Sequence, residues 1–356
     1  MPASLHPSGA NGADVDRARR KGLRIALAVS VGFTWAVASG AVIPFLGPLF
    51  AAQLLIGSAR PLSVAKAIAM VAIVIAAGVV LQALAAVTAG KPMVLLLLLG
   101  LFYFVCFHAQ ATGKGGAAIF LMLVVGIMVP LLTVLHPDLG SSALAILAHG
   151  IGSGIVLMWL AHALVPDRGT VNAAPEAPEA PFVHPHPILR AAADTIILLM
   201  IVTVCLTKDE WATAMVIPIT VASLQTQLDV SAGARASIGL VLVNLIGGIA
   251  ASLAFVLLQI RPSLLSMFVL VLLAGLVFGG RAALSSTAAK VHAGALTTFL
   301  LIFGAGVSPL PGTAAESFST RIGYIAVAIS YAMLLGTLLW PRTSPASPSL
   351  PIARGT

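Results

Sequence analysis

An aspartate and an arginine lie four residues apart in an otherwise apolar stretch of the sequence. Asp194 follows Arg190 by about one helical turn, so both side chains share one face of a helix. An acid inside an apolar span is costly and is usually paired or functional. Asp194 could bind and release a proton, which would make it a proton-coupling residue. It could instead form a structural ion pair with Arg190 near the membrane surface, where both side chains can reach water, and we favour this second interpretation.

A histidine well inside another apolar stretch is the second titratable candidate. His149 is followed by Gly150 and, four residues later, by Gly154. A histidine can titrate near neutral pH and relay protons, so His149 is a second candidate for proton coupling. Alternatively, the two glycines permit a close contact between helices, across which His149 could donate a hydrogen bond. The sequence favours neither interpretation.

Prolines and glutamines mark two apolar segments that repeat each other. Pro44 precedes Gln53 by nine residues, and Pro218 precedes Gln227 by the same spacing within similar sequences. We predict that each proline bends or breaks its helix and that both helices line a cavity near the middle of the membrane. The glutamines could then hydrogen-bond a carboxylate or each other. The alternative is that the prolines only shape helix packing.

Arginines begin the first apolar segment of each copy of the repeat. Arg24 and Arg190 could attract an anion on the cytoplasmic side, or they could only anchor the first helices at the membrane surface. We take the matched residues of both copies as candidates for substrate binding. They are Arg24, Pro44, Gln53, Arg190, Pro218 and Gln227.

Long apolar runs must position these residues. The chain has 356 residues, of which 59% are hydrophobic and 8% are charged. A helix needs about 20 apolar residues to cross a bilayer, and the continuous runs lack the alternation of barrel strands. The sequence therefore predicts an all-α polytopic membrane protein with about twelve transmembrane helices. The predicted spans are 24–40, 42–57, 64–88, 93–109, 117–135, 142–165, 189–206, 211–227, 236–259, 263–279, 291–307 and 321–340.

The positive charges predict the orientation of these spans. With the N-terminus inside, fifteen of the 19 lysines and arginines fall on the cytoplasmic side, leaving four outside. This bias predicts that both termini are cytoplasmic. The net charge of +8 is spread thinly and lacks neighbouring aromatic residues, so we expect no nucleic-acid partner.

The repeat divides the chain into five predicted regions. A disordered cytoplasmic tail, 1–22, precedes the first six-helix membrane repeat, 23–166. A Pro- and Ala-rich cytoplasmic linker, 167–187, leads to the second six-helix repeat, 188–342, and a disordered cytoplasmic tail, 343–356. Because each repeat has an even number of spans, we predict parallel repeats related by an axis along the membrane normal.

Motifs for enzymatic chemistry are absent from the sequence. There is no Gly-rich phosphate-binding loop, nucleophile elbow or His/carboxylate metal motif. Cys106 and Cys205 lack the spacing of metal ligands, so we interpret both as small apolar residues. We therefore expect neither an enzyme nor a cofactor or metal site.

The order of these features resembles that of a known transporter superfamily. Arg24 opens an alanine-rich first span, and a proline-bearing second span ends in Gln53 before the Arg60 loop. A linker separates the two six-span blocks. This pattern resembles the fusaric acid resistance and aromatic acid exporter superfamily, and most closely its compact bacterial branch. The larger exporters carry a large cytoplasmic domain, which this sequence replaces with the short linker.

The resemblance implies an inner-membrane exporter of aromatic carboxylic acids, driven by the proton gradient. Members often work with a periplasmic adaptor of the membrane-fusion type. The sequence leaves open a passive organic-anion channel, a non-transporting scaffold and a carrier of the major-facilitator type. The loop 57–62 lacks the acidic residue and the Gly-Arg-Lys pattern expected of the last.

Overall fold

The computed structural model describes residues 8–58, 60–88, 90–114, 116–166, 184–207, 216–227, 233–284 and 287–308, together with individual residues between 323 and 339. The regular structure in these ranges is helical, without strands. Seven of the described helices are long and apolar enough to cross a membrane. The chain is therefore an all-α, multi-pass membrane protein, as the sequence predicts.

The described helices follow the predicted apolar runs. They are α1 (Ser8–Ala38), α2 (Leu46–Gly57), α3 (Val64–Val87), α4 (Pro92–Ala111), α5 (Gly116–Leu135), α6 (Pro137–Leu164), α7 (Pro187–Thr207), α8 (Val216–Gln227), α9 (Gly233–Ile260), α10 (Leu264–Ala282) and α11 (Thr287–Val307). Further helical residues lie between 323 and 339.

Local sequence signals account for several helix ends. The Ser63 hydroxyl accepts a hydrogen bond from the backbone N–H of Lys66 at the start of α3, and Ser263 caps α10 in the same way. Pro92 occupies the first turn of α4, where a missing N–H costs nothing. Gly113 follows the end of α4 with φ of +72°, a conformation that glycine adopts without strain.

Pro44 lies before its helix and does not bend or break it, which corrects the prediction for this proline. Pro44 lies in the turn that precedes α2, and Pro218 is the third residue of α8. A proline before or within the first turn removes no hydrogen bond from the helix interior. As a result α2 is intact but short. It has 12 residues and is about 18 Å long, against about 30 Å for the hydrocarbon layer.

The N-terminal region also differs from the prediction. Residues 8–22, predicted to belong to a disordered tail, form the first turns of α1. The helix continues outward from the apolar segment that begins at Val15, and Asp16 and Arg20 have the (i, i+4) spacing that supports an exposed helix. The linker residues 167–183 and the C-terminal tail 343–356 lie outside the described residues, so their predicted disorder stays a prediction.

Four helices form the buried centre of the described structure. Helix α2 packs against α5, α5 against α8, α8 against α11, and α11 against α2, which closes a ring of four. Most residues of these helices are buried, whereas α3, α4 and α10 expose large hydrophobic side chains on their outer faces. In this ring α2 and α8 alternate with α5 and α11.

Glycines allow a very close contact between α2 and α6. A methyl group added to Gly150 would lie 2.9 Å from the Cβ atom of Leu46, and one added to Gly154 would lie 3.0 Å from the carbonyl oxygen of Gly47. Small residues spaced four apart let two helix backbones approach in this way. The predicted glycine contact is therefore present.

Two further helix pairs, α1 with α10 and α4 with α7, pack in contrasting ways. At the first, a methyl group on Gly22 would lie 2.7 Å from the Cα atom of Gly280, and one on Gly275 would lie 2.8 Å from that of Ala26. A π-helical turn, Gly275–Gly279, interrupts α10 at this contact. At the second pair, a methyl group on Gly100 would meet only the end of a side chain of α7, 3.2 Å away.

Candidate functional site

The centre of the candidate site is an ion pair inside α7. The Nε atom of Arg190 donates a hydrogen bond to Oδ2 of Asp194 over 2.7 Å, and the two side chains are 6% and 5% exposed. Asp194 lies seven residues after Pro187, so it is about 10 Å along the helix. The predicted pair exists, but contrary to the prediction its side chains are buried and do not reach water; its place near the membrane surface stays a prediction.

A glutamine from α8 completes this site. The Nε2 atom of Gln225 donates to the backbone carbonyl of Asp194 over 2.9 Å, and Gln225 is almost wholly buried. Neither Oε1 of Gln225 nor Oγ1 of Thr195 has a hydrogen-bond partner among the described residues, and both atoms are buried. We call Arg190, Asp194, Thr195 and Gln225 the Asp194 cluster.

Helix α4 closes one side of the Asp194 cluster. The Nε2 atom of Gln110 donates to the carbonyl of Thr226 over 3.0 Å, which ties the end of α4 to the end of α8. The backbone N–H of His184, just before α7, donates to the carbonyl of Ala111 over 2.9 Å. These bonds join the end of α4 to the end of α8 and to the segment just before α7.

The chemistry of the Asp194 cluster follows from this burial. An isolated charge would be expensive here, so the carboxylate and the guanidinium stabilise each other. A proton that bound to Asp194 would neutralise its carboxylate and weaken its attraction to the buried Arg190 guanidinium. Proton binding at Asp194 and the arrival of an anion near Arg190 would therefore be energetically coupled.

A second polar contact joins the short helix α2 to α11. The Nε2 atom of Gln53 donates to Oγ1 of Thr297 over 2.9 Å, and Gln53 is partly buried. Thr297 in turn donates to the carbonyl of Ala293 over 3.0 Å. We call this contact the Gln53–Thr297 bridge. It lies between two helices of the central ring.

The other predicted substrate-binding residues have varied positions. Arg24 is buried, and its Nε atom donates to the carbonyl of Val165, the C-terminal cap of α6, over 2.8 Å. A cation at a helix C-terminus is favoured by the helix dipole, so this arginine stabilises the end of α6. Pro44 and Pro218 are buried beside the first turns of α2 and α8. The side chain of Gln227 lies outside the described residues.

His149 is separate from these residues. It lies on an exposed face of α6, while the neighbouring Gly150 and Gly154 pack against α2. The glycine contact therefore forms on another face of the helix from His149. Within the described residues, no three His, Cys, Asp or Glu side chains approach closely enough to hold a metal ion.

Sequence reasoning missed Gln225, Thr195 and Thr297. For Gln225 a signal was present, because the two copies of the repeat differ where they should match. Gln225 lies seven residues after Pro218, whereas Ala51 lies seven residues after Pro44. A polar residue that replaces an alanine in one copy of a buried helix indicates a site in that copy. Thr195 and Thr297 carry no such signal.

A family described as a protein of unknown function (DUF2955) matches residues 21–161. The matched range covers most of α1 through most of α6, and the family is one of membrane proteins. The match ends before α7 and α8, which hold the Asp194 cluster. No curated protein and no solved structure matches the chain.

Proposed function

We propose that this protein is an inner-membrane efflux transporter of small organic acids and that the proton gradient drives it. The observation that carries the proposal is the buried ion pair of Arg190 and Asp194, hydrogen-bonded to α8 through Gln225. Ionisable residues buried in apolar helices are expensive and commonly mark ion or proton pathways. The substrate class, aromatic carboxylic acids, comes from the resemblance to the fusaric acid resistance superfamily.

The helix contacts support two parallel six-helix repeats. If α1 to α6 correspond in order to α7 and the helices that follow it, then α7 is the counterpart of α1 and α4 is the counterpart of α10. Exchanging the halves therefore converts the α1–α10 contact into the α7–α4 contact. The same exchange converts the α2–α11 contact into the α8–α5 contact. Pairs of contacts related in this way are expected of two repeats that face each other across an axis along the membrane normal. We therefore propose twelve membrane spans, the last in the region of residues 323–339.

The central ring is the proposed place for transport. The short helix α2 crosses only part of the hydrocarbon layer, as discontinuous helices do in many transporters. The Gln53–Thr297 bridge lies between α2 and α11, and the Asp194 cluster lies beside α8. We propose that Asp194 carries the proton. His149 is less suited to that role, because it lies on an exposed face of α6.

The test is uptake of labelled benzoate, 4-hydroxybenzoate and fusaric acid into inverted vesicles with an acidic interior. Weak acids that cross the lipid passively collect on the alkaline side, which here is outside. Accumulation inside, abolished by a protonophore, would therefore report proton-coupled export. We expect Asp194→Asn to reduce this accumulation by about tenfold or more, a change of about 1.4 kcal/mol or more in driving free energy.

Two controls accompany this test. Asp138→Asn makes the same chemical change at a side chain that is 91% exposed, and His149→Ala removes the other titratable candidate. Both should accumulate the acids as the wild type does. Flux that only follows the substrate's own gradient would favour a channel, and an unchanged Asp194→Asn variant would remove Asp194 from the proposed mechanism.

A further inference from the structure

Two exposed arginines lie at one end of the contact between α1 and α10. Arg19 precedes Gly22 by three residues and so shares a face of α1 with it, and Arg281 follows Gly280 in α10. A methyl group on Gly22 would lie only 2.7 Å from the Cα atom of Gly280. The Cα atoms of the two arginines are therefore no more than about 14 Å apart, a distance that two extended arginine side chains can bridge.

These two arginines differ from the neighbouring cations of α1 in having no protein partner. Arg20 donates to a backbone carbonyl just after α6 over 3.2 Å, and Lys21 donates to one in the last turn of α2 over 2.9 Å. Within the described residues, Arg19 and Arg281 make no hydrogen bond or ion pair. Two guanidinium groups that approach each other repel, so an anion between them would be attracted by both.

Exposed leucines continue the same faces towards the middle of both helices. Leu23 is one turn further into α1 than Arg19 and is 39% exposed, and Leu276 precedes Arg281 in α10 and is 44% exposed. The π-helical turn Gly275–Gly279 aligns the second pair, because a π turn bonds residues five apart and stacks them as an α-helix stacks residues four apart. Each helix therefore presents a cation and, next along the same face, an apolar side chain.

We propose that these residues form a binding site for an anionic phospholipid. We call the site the α1–α10 surface, and it comprises Arg19, Leu23, Leu276 and Arg281. The order of its groups matches that of a lipid, since the phosphate lies between the two guanidinium groups and the first part of an acyl chain lies against the two leucines. Basic pockets between membrane helices bind anionic headgroups, and the planar fork of arginine suits a phosphate. This inference goes beyond the proposed function and does not depend on it.

The α4–α7 pair closes its corresponding end in a different way. There the backbone N–H of His184 donates to the carbonyl of Ala111 over 2.9 Å, which joins the end of α4 to the segment just before α7 through protein atoms. In the part of the chain that the structure describes, no backbone hydrogen bond joins α1 to α10. A phosphate bound by Arg19 and Arg281 would supply this link, and it would connect helices from the two halves of the chain.

The test is lipid binding to the purified full-length protein, measured by native mass spectrometry at known lipid concentrations. Dioleoylphosphatidylglycerol is the anionic probe, and dioleoylphosphatidylcholine has the same chains without a net charge. We expect the protein to bind the first lipid more tightly. Arg19→Gln and Arg281→Gln should each weaken this binding by about fivefold, and the double variant should weaken it by about thirtyfold, because each cation near an anionic headgroup contributes separately.

Two further variants serve as controls. Arg261→Gln removes an exposed arginine just before the other end of α10 and should leave the affinity for phosphatidylglycerol unchanged. Asp16→Asn removes an exposed carboxylate one turn before Arg19 and should raise that affinity.

Thermal unfolding gives a second readout, because a lipid that binds the folded protein raises its unfolding temperature. Phosphatidylglycerol should raise this temperature less in the double variant than in the wild type. Equal affinities in the double variant and in Arg261→Gln would overturn the inference, and so would equal binding of the two lipids by the wild type. Displacement of the lipid by soluble glycerol phosphate would also overturn it, since the arginines would then bind a soluble anion.

Discussion

Helices α1 and α7 each carry a buried arginine at positions that the predicted repeat pairs, and the two arginines make different hydrogen bonds. Arg24 donates to the backbone carbonyl of Val165, and the residue one turn after it is Ala28. Arg190 donates to the carboxylate of Asp194, which occupies the place of that alanine. Through these contacts Arg24 caps the end of α6, and Arg190 forms a buried ion pair within its own helix.

Helices α2 and α8 also differ in polarity, and again the helix of the second half carries the polar residue. Gln225 of α8 hydrogen-bonds α7, while the matching Ala51 of α2 is a buried apolar residue. Only the glutamine two residues later, Gln53 or Gln227, is common to both helices. The comparison shows that two similar pairs of helices can contain a single polar site. The pair α1 and α2 has apolar residues at these positions, whereas the pair α7 and α8 has polar ones.

The largest effect is expected when α7 is made to resemble α1. Asp194→Ala leaves the Arg190 guanidinium buried without its carboxylate, and removing one member of a buried ion pair costs about 3–5 kcal/mol. We expect the free energy of unfolding, measured by denaturant titration in bicelles, to fall by this amount. Asp138→Ala, which removes an exposed carboxylate, should have a much smaller effect. Equal effects of the two substitutions would mean that water reaches the ion pair.

A smaller effect is expected when α8 is made to resemble α2. Gln225→Ala removes the hydrogen bond to the carbonyl of Asp194 and leaves a small cavity, which together cost about 1–3 kcal/mol. The same unfolding measurement checks this value. Gln225→Leu fills the volume without the hydrogen bond and should recover part of the loss. Full recovery would show that packing, and not the hydrogen bond, accounts for the contribution of Gln225.

The smallest effect concerns the glutamine that both helices share. Side-chain hydrogen bonds between membrane helices contribute about 0.6 kcal/mol on average, so we expect a coupling energy of this size for the Gln53–Thr297 bridge. The measurement is a double-mutant cycle with Gln53→Ala and Thr297→Val. Strictly additive changes would mean that Gln53 and Thr297 are not energetically coupled and that the bridge adds no stability.

The sequence predicted the helices well and their ends less well. Continuous apolar runs identify membrane helices because the bilayer requires them, and the described helices lie on those runs. Pro44 was misplaced because a proline in an apolar run is compatible with a helix interior or with the turn before a helix. Which of these two positions Pro44 takes depends on where α1 ends and on how α2 packs against α6. The contact between α2 and α6 joins residues more than 90 positions apart.

The candidate site was predictable only in part for a related reason. The spacing of Arg190 and Asp194 placed them together, since neighbours on one helix face follow from helix geometry. The surroundings of the pair involve α8, which reaches Asp194 through Gln225, and α4, which is joined to α8 by the bond from Gln110 to Thr226. Hydropathy gives the depth of a residue along its own helix but does not identify the helices that cover it.

The closed ring of α2, α5, α8 and α11 has a consequence for biosynthesis. Gln53 and Thr297 are separated by 244 positions in the chain. At about 5–20 residues per second, the ribosome needs about 12–50 s to add the residues between them. During that interval α2 is already made while α11 is not, so the Gln53 amide must find temporary partners in the membrane. Some residues of α2 pack against α11 in the folded protein. Until α11 is made, these residues are therefore exposed to lipid or to an insertion chaperone.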